Sequence, residues 1–194
     1  PNNRILSIAV FGNAHVDGAV FMGKTEAETL RLIVEEGMQE YSFLLGWNSD
    51  AFDVPLLRAR LLANGVNPDE IDGMPVFLDC MRIHKQMLRK NETSYTLDHV
   101  SRKHLKDGKL PFDPNRTFEY FNDRPHELAD YNLHDAELVW KLNETFGYFE
   151  TFNAIVEEAD ASPEIPGRLA AAGAHYVDSV YSWCTCVGAA IDEW

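Results

Sequence analysis

The sequence predicts an α/β fold, a mixed sheet flanked by helices. Three observations carry that reading: short β-branched and aromatic runs, longer segments with apolar residues at helical spacing, and the way the two interleave. RILSIAVFGN and GAVFMGK read as two strands of an antiparallel pair, joined by an Asp-Gly turn within residues 15–18. TEAETLRLIVEEGMQEY follows as a helix, with a Thr cap, a Glu three residues later, and Leu30, Ile33, Val34 and Met38 at helical spacing. YSFLLGWN is a buried strand ending at Gly46, and DVPLLRARLLANG a helix with Pro early and Gly at its end. MPVFLDC is a further strand, and TSYTLDHVSRKHL a helix with Leu97, Val100 and Leu105 turned inward. The long stretch KDGKLPFDPNRTFEYFNDRP reads as a loop framing a cleft, because loops of that length in compact domains tend to be functional. A helix resumes over residues 127–149, and after the breaker ASPEIPG a last helix is predicted over 168–183.

A chain of 194 residues with 45% hydrophobic and 11% aromatic residues can build one core and is not disordered. Its apolar runs are too short to span a bilayer, and no signal peptide opens it, so no membrane partner is expected. The start on Pro1 reads as a cut from something longer. Three cysteines, Cys80, Cys184 and Cys186, are an odd number, which argues against a disulfide framework and for a reducing, cytoplasmic setting. The net charge of −14 is the reverse of a protein that holds nucleic acid by bulk electrostatics. A nucleic-acid substrate would need local basic segments, metal ions or a basic neighbouring domain.

Two aspartates stand out. Leu128, Tyr131, Asp135, Leu138 and Leu142 are spaced three, four, three, four, which puts them on one helix face. A carboxylate in the middle of an apolar stripe costs several kcal/mol unless it is paired or bound to a metal. Asp135 therefore needs a partner, either a metal or a Lys or Arg, and Tyr131 one turn earlier points to the same place. Asp53 directly precedes VPLL, the position of an ordinary helix N-cap, and that is its simplest reading.

GWNSDAFDVPLL resembles the second exonuclease motif of family B DNA polymerases, Asn, three residues, then Phe-Asp after a strand ending in Gly. YNLHDAELV resembles their third motif, Tyr, three residues, Asp, and the segments between and after resemble archaeal members. The resemblance implies a ribonuclease-H-like fold and a proofreading 3′ to 5′ exonuclease. Four carboxylates there hold two divalent ions, Mg²⁺ or Mn²⁺, that hydrolyse the 3′-terminal phosphodiester of single-stranded DNA. It implies Asp53 and Asp135 as metal ligands, Tyr131 as the residue orienting the water, and Asn48 and Phe52 as contacts to the terminal nucleotide. Asp50 is left as a solvated loop carboxylate. The implied division is an exonuclease domain over 1–150 and a helical segment over 151–194 leading toward polymerase domains of the same parent chain. The family's first motif, Asp-x-Glu on the preceding strand, is absent, which reads as truncation. A stand-alone exonuclease and a catalytically dead single-strand-binding scaffold are the rival readings.

Cys80, His84, His99 and His104 have a loosely zinc-like spacing, but the helix starting near Thr93 accounts for both later histidines as ordinary face residues. The basic run from Arg82 to Lys90 reads as a solvated face or a track for a phosphate backbone.

Overall fold

The structure is a computed structural model that describes residues 3–12, 15–38, 41–71, 75–88, 92–160 and 180–189. Among these lie five strands and seven α-helices, a mixed α/β architecture. The strands are β1 (Asn3–Gly12), β2 (His15–Phe21), β3 (Phe43–Gly46), β4 (Val76–Asp79) and β5 (Val180–Ala189). They form one sheet in the order β2-β1-β5-β3-β4. β1 is antiparallel to β2 and β5, whereas β3 runs parallel to both β4 and β5.

The helices are α1 (Glu26–Leu32), α2 (Asp53–Ala63), α3 (Cys80–Leu88), α4 (Leu97–His104), α5 (Thr117–Asp123), α6 (Pro125–Phe146) and α7 (Tyr148–Asp160). α1 starts as its sequence dictates: the Thr25 hydroxyl accepts from the Glu28 N–H at 3.2 Å, and the Glu28 carboxylate accepts from the Lys24 N–H at 2.8 Å. It continues into a π-helical turn over Ile33–Gly37. α6 stops where Gly147 takes a left-handed φ of 63°, a conformation that favours glycine.

Strand alternation sends side chains to two cores. Leu44 joins Ile5, Ile8, Val10 and residues of α1 and α2 on one face. Phe43 and Leu45 join Val100, Val139, Leu142 and Tyr148 on the other. A third, aromatic cluster gathers Leu6 and Leu128 with Phe112, Phe118, Phe121 and Tyr131, so α5 and the irregular segment before it serve as a wall of the fold. No helix of the described residues is long and apolar enough to cross a membrane.

Three expectations are corrected. Asp17 and Gly18 lie inside β2 and not in its turn: the pairing shifts from Val10↔Ala19 to Gly12↔His15, and Gly18 takes φ +68° in the resulting irregularity. The stretch expected to be one long loop over 106–125 holds the helix α5, and α6 already begins in it at Pro125. The helix expected over 168–183, within a helical segment 151–194, is strand from Val180 onward, inserted between β1 and β3. Residues 161–179 of that prediction lie outside the described residues. VYSWCTCVGA is rich in β-branched and aromatic residues, so strand propensity there prevails over the helical pattern before it.

Candidate active site

The loop between β3 and α2 is shaped by a carboxylate that sequence reasoning passed over. Gly46 and Asp79 are register partners at the ends of parallel strands. The buried Asp79 reaches across: Oδ1 accepts from the Asn48 N–H at 3.0 Å and Oδ2 from the Asp50 N–H at 3.4 Å. The same Oδ1 accepts from the Arg82 N–H at 3.3 Å, in a helix-capping position for α3. Held this way, Asn48 adopts φ 63°, a left-handed conformation that Asn tolerates better than most residues. Asp50 is exposed and meets Arg82 at 3.3 Å, as expected of a loop carboxylate.

Asp53 is the first residue of α2 and not its cap. Phe52 occupies the cap position without a capping side-chain bond and is 49% exposed. Burial pushes the Asp53 carboxyl up to about 7; its own backbone N–H pulls it down, the charge of Asp79 pushes it up, and that of Lys109 pulls it down. Asp135 sits in the middle of α6, 1% exposed, on the stripe with Leu128, Leu138 and Leu142 that the sequence predicts. Lys109 Nζ lies 2.7 Å from Asp135 Oδ2 and 5.0 Å from the centre of the Tyr131 ring. Burial alone would favour the neutral Lys109 amine. Asp135, with help from Tyr131, overrules it and raises the ammonium above its ordinary value.

The structure thus brings Tyr131 and Asp135 together at Lys109, whose charge also acts on Asp53. Phe52 and Asn48 stand on the segment leading to it. Lys109 escaped sequence reasoning because it lies in an irregular stretch with no periodicity. It is nevertheless held in place: its N–H donates to Asp98 Oδ1 at 2.9 Å, the Gly108 carbonyl lies 3.0 Å from His134 Nε2, and Lys141 meets Asp107 at 3.2 Å. Phe112 stacks on Tyr131 with ring centres 4.2 Å apart, closing one side of the site. A groove of about 600 Å³, lined by Asp50 and Asp79 and continuing over Ile83, Met87 and Ile155, does not include Asp53, Lys109, Tyr131 or Asp135 in its lining.

Set against known proteins, the chain is 27% identical over 154 residues to the DNA polymerase of Methanocaldococcus jannaschii, covering 70% of this chain. It is 32% identical over 123 residues to DNA polymerase 1 of Sulfolobus acidocaldarius and 26% identical over 132 residues to the DNA-directed DNA polymerase of Enterobacteria phage T4. Those two matches cover 55% and 54% of this chain. The chain spans only 9% of the first relative's length and 14% of each of the others. No family profile matches it. The chain is thus similar to a segment of these DNA polymerases.

Proposed function

We propose that this domain is the 3′ to 5′ proofreading exonuclease module, of ribonuclease-H-like fold, of a family B DNA-directed DNA polymerase. It would act on a frayed single-stranded 3′ end beside polymerase domains of the same parent chain. The observation that supports the reading is the pairing of the buried Asp135 and of Tyr131 with Lys109, a cation whose charge also acts on Asp53. The relatives named DNA polymerase support it, as does the match of these residues to the exonuclease motifs.

Asp53 and Asp135 offer hard oxygen donors, and an Asp53 carboxyl pushed up to about 7 marks a desolvated spot short of positive charge. That donor set fits Mg²⁺ or Mn²⁺. Such ions, when bound, supply Lewis-acid polarisation of a phosphate and a water of lowered pKa. The chain's own residues do the rest. Tyr131, a neutral phenol, donates a hydrogen bond to the attacking water or the phosphate. Lys109 balances the charge on Asp135 and faces an incoming phosphodiester. Phe52 gives the terminal base an exposed ring to stack on, and Asn48, fixed by Asp79, offers its amide to the nucleotide. Two ions call for more carboxylates than these. β5, which lies between β1 and β3, contributes none in VYSWCTCVGA. In the family that the motifs resemble, an Asp-x-Glu segment supplies the remaining ligands.

The test uses a 5′-labelled single-stranded oligonucleotide, with the 194-residue protein and a version extended upstream by its own gene. The extended protein should shorten the strand from its 3′ end with Mg²⁺ or Mn²⁺, and Asp53→Asn should stop it; the shorter protein should cut little. A folded extended protein that leaves the strand intact with either ion overturns the proposal. The Lys109–Asp135 contact favours one second reading, a single-strand-binding module whose carboxylate already has its cation. Strand binding without cleavage, and melting indifferent to Mn²⁺, would select it.

A further inference from the structure

Away from the aspartates, the structure brings together three potential ligands from three segments. His84 lies on α3, Glu92 on the connection to α4, and His104 at the end of α4. One imidazole nitrogen from each histidine and one carboxylate oxygen lie within 4.8 Å of one another. His104 Nε2 is 2.7 Å from Glu92 Oε1, and His84 Nε2 is 3.8 Å from the same oxygen. The side chains of His84 and Glu92 are wholly enclosed, and that of His104 is 23% exposed.

An ion-pair knot accounts for part of this. Lys103 Nζ at 2.8 Å and His104 together hold the Glu92 carboxyl down at about 2, against the opposing pull of burial. The knot does not account for His84. Its Nε2 is buried, faces Glu92 and makes no hydrogen bond. A buried polar nitrogen left without a partner is costly, so its orientation calls for a ligand. Its other nitrogen, Nδ1, is 2.7 Å from the hydroxyl of the fully buried Tyr148. With the proton on Nδ1 donated to the phenol oxygen, Nε2 keeps its lone pair and directs it into the cluster. That is the outer-partner arrangement by which proteins fix a metal-binding tautomer. Lys103 does the same for Glu92 by holding Oε2 and leaving Oε1 to face the two imidazoles.

We propose that His84, Glu92 and His104 form a structural zinc site joining α3, the connection after it and the end of α4. Two imidazoles and one carboxylate are a borderline donor set that suits Zn²⁺ and not Mg²⁺. Bonds of about 2.0–2.1 Å place tetrahedral ligand atoms about 3.4 Å apart, so small side-chain shifts suffice, opening the 2.7 Å His104–Glu92 separation and closing the 3.8 Å His84–Glu92 one. The fourth position falls to a water or to His99, whose Nε2 is 3.5 Å from Glu92 Oε2. Phe146, with ring centres 5.0 Å from His84 and 4.9 Å from His104, and Trp47, 5.6 Å from His84, wall the site in. With His99 as the fourth protein ligand the set would be closed, as structural zinc sites are. Cys80, the remaining member of the zinc-like spacing in the sequence, packs in the apolar core with Val100 and Leu142.

The experiment strips the 194-residue protein with a chelator and titrates it with ZnCl₂ and, separately, CoCl₂. One Zn²⁺ should bind per chain and raise the melting temperature, and Co²⁺ should give the visible absorption of a four-coordinate site. His104→Gln, at the open edge, should weaken Zn²⁺ binding by at least about 100-fold. Tyr148→Phe, which removes only the partner of His84, should weaken it by about 10- to 100-fold. Asp135→Asn should leave it unchanged, which separates this site from the proposed exonuclease centre. If Zn²⁺ leaves melting unmoved, or if His104→Gln and Glu92→Gln both bind it as tightly as the parent protein, the cluster is an ion-pair knot and the proposal falls.

Discussion

Lys109 and Asp135, from an irregular loop and the centre of the longest helix, are joined at 2.7 Å with the carboxylate 2% exposed and the ammonium 34%. The two halves of this pair are not equivalent. Removing the cation strands a charge that cannot reach water, whereas removing the carboxylate leaves an ammonium that can.

Lys109→Met should therefore destabilise the domain. Breaking an enclosed ion pair from one side costs about 3–5 kcal/mol, and the partial exposure of Lys109 brings the expected loss to about 2–3. Mn²⁺ should restore part of it by standing in for the lost charge. Urea unfolding with and without Mn²⁺ measures both effects. A loss under about 0.5 kcal/mol would mean that Asp135 already finds compensation elsewhere.

Asp53 gives the metal-free protein a pH dependence of known sign. Its folded pKa near 7 lies above the ordinary carboxylate value, so between about pH 4 and 7 the folded state holds a proton that the unfolded state has released. Stability should fall as pH rises through that window, by up to about 4 kcal/mol, and level off above it. Asp53→Asn should remove the slope, gaining over the parent protein at pH 8 and not at pH 4. Thermal melting across that range without divalent ions is the measurement, and a parallel profile for the two proteins would contradict it.

Glu26 carries the opposite sign. Burial works against its charge, but Arg60, the Ile5 amide at 2.8 Å and Asn64 outweigh that and hold its pKa low. Its contribution is present at neutral pH and is lost as pH falls through the folded pKa, below the usual carboxylate range. Glu26→Gln should cost about 1–2 kcal/mol at pH 7, and the gap should close in acid. Denaturation at pH 7 and pH 3 tests it, and an equal gap at both would assign Glu26 a packing role only.

Gly18 and Gly65 both take a positive φ, yet their surroundings differ. A Cβ on Gly18 would stand 2.4 Å from Leu133 Cδ1 and 3.0 Å from the Val10 carbonyl oxygen, whereas one on Gly65 would meet nothing within 4 Å. Gly65→Ala should lose about 1 kcal/mol from backbone strain alone. Gly18→Ala should lose about 2–3, because the strand must also move off α6. Equal losses in urea unfolding would show that β2 yields freely.

What could be read ahead of the structure follows from the range of each interaction. Asp135 was legible because an apolar stripe at helical spacing exposes any polar intruder, and the fold bears out that stripe through Leu128, Leu138 and Leu142. Its partner was not, since Lys109 comes from an irregular loop whose position depends on Asp98, His134 and Lys141. Asp79 was visible as a strand end, but its grip on the Asn48 and Asp50 amides exists only once two parallel strands are in register. The strand β5 takes its place through pairing with β1 and β3, far apart in sequence, and local pattern does not encode such partners. The zinc-like histidine spacing pointed toward Cys80, but the structure pairs the histidines with Glu92, a residue outside any regular element.

The two helix-α6 residues separate metal binding from folding. Asp135→Ala should abolish cleavage in the upstream-extended protein while holding stability within about 1 kcal/mol: it relieves a desolvation cost in the apolar stripe and frees Lys109 to face water. Tyr131→Phe should be milder. The phenyl ring keeps its stacking on Phe112 at 4.2 Å and its place under Lys109, so only the hydroxyl's hydrogen bond is lost. Loss of a single transition-state donor costs about 10²- to 10³-fold in rate, and the fall should not exceed that. Single-turnover cleavage and thermal melting, each with Mn²⁺ titrated, should separate the variants: Asp135→Ala loses the Mn²⁺ dependence of melting, and Tyr131→Phe retains it. If Asp135→Ala instead unfolds the domain, or leaves that dependence as it was, Asp135 is half of a structural ion pair with Lys109 and the exonuclease centre is not built on it.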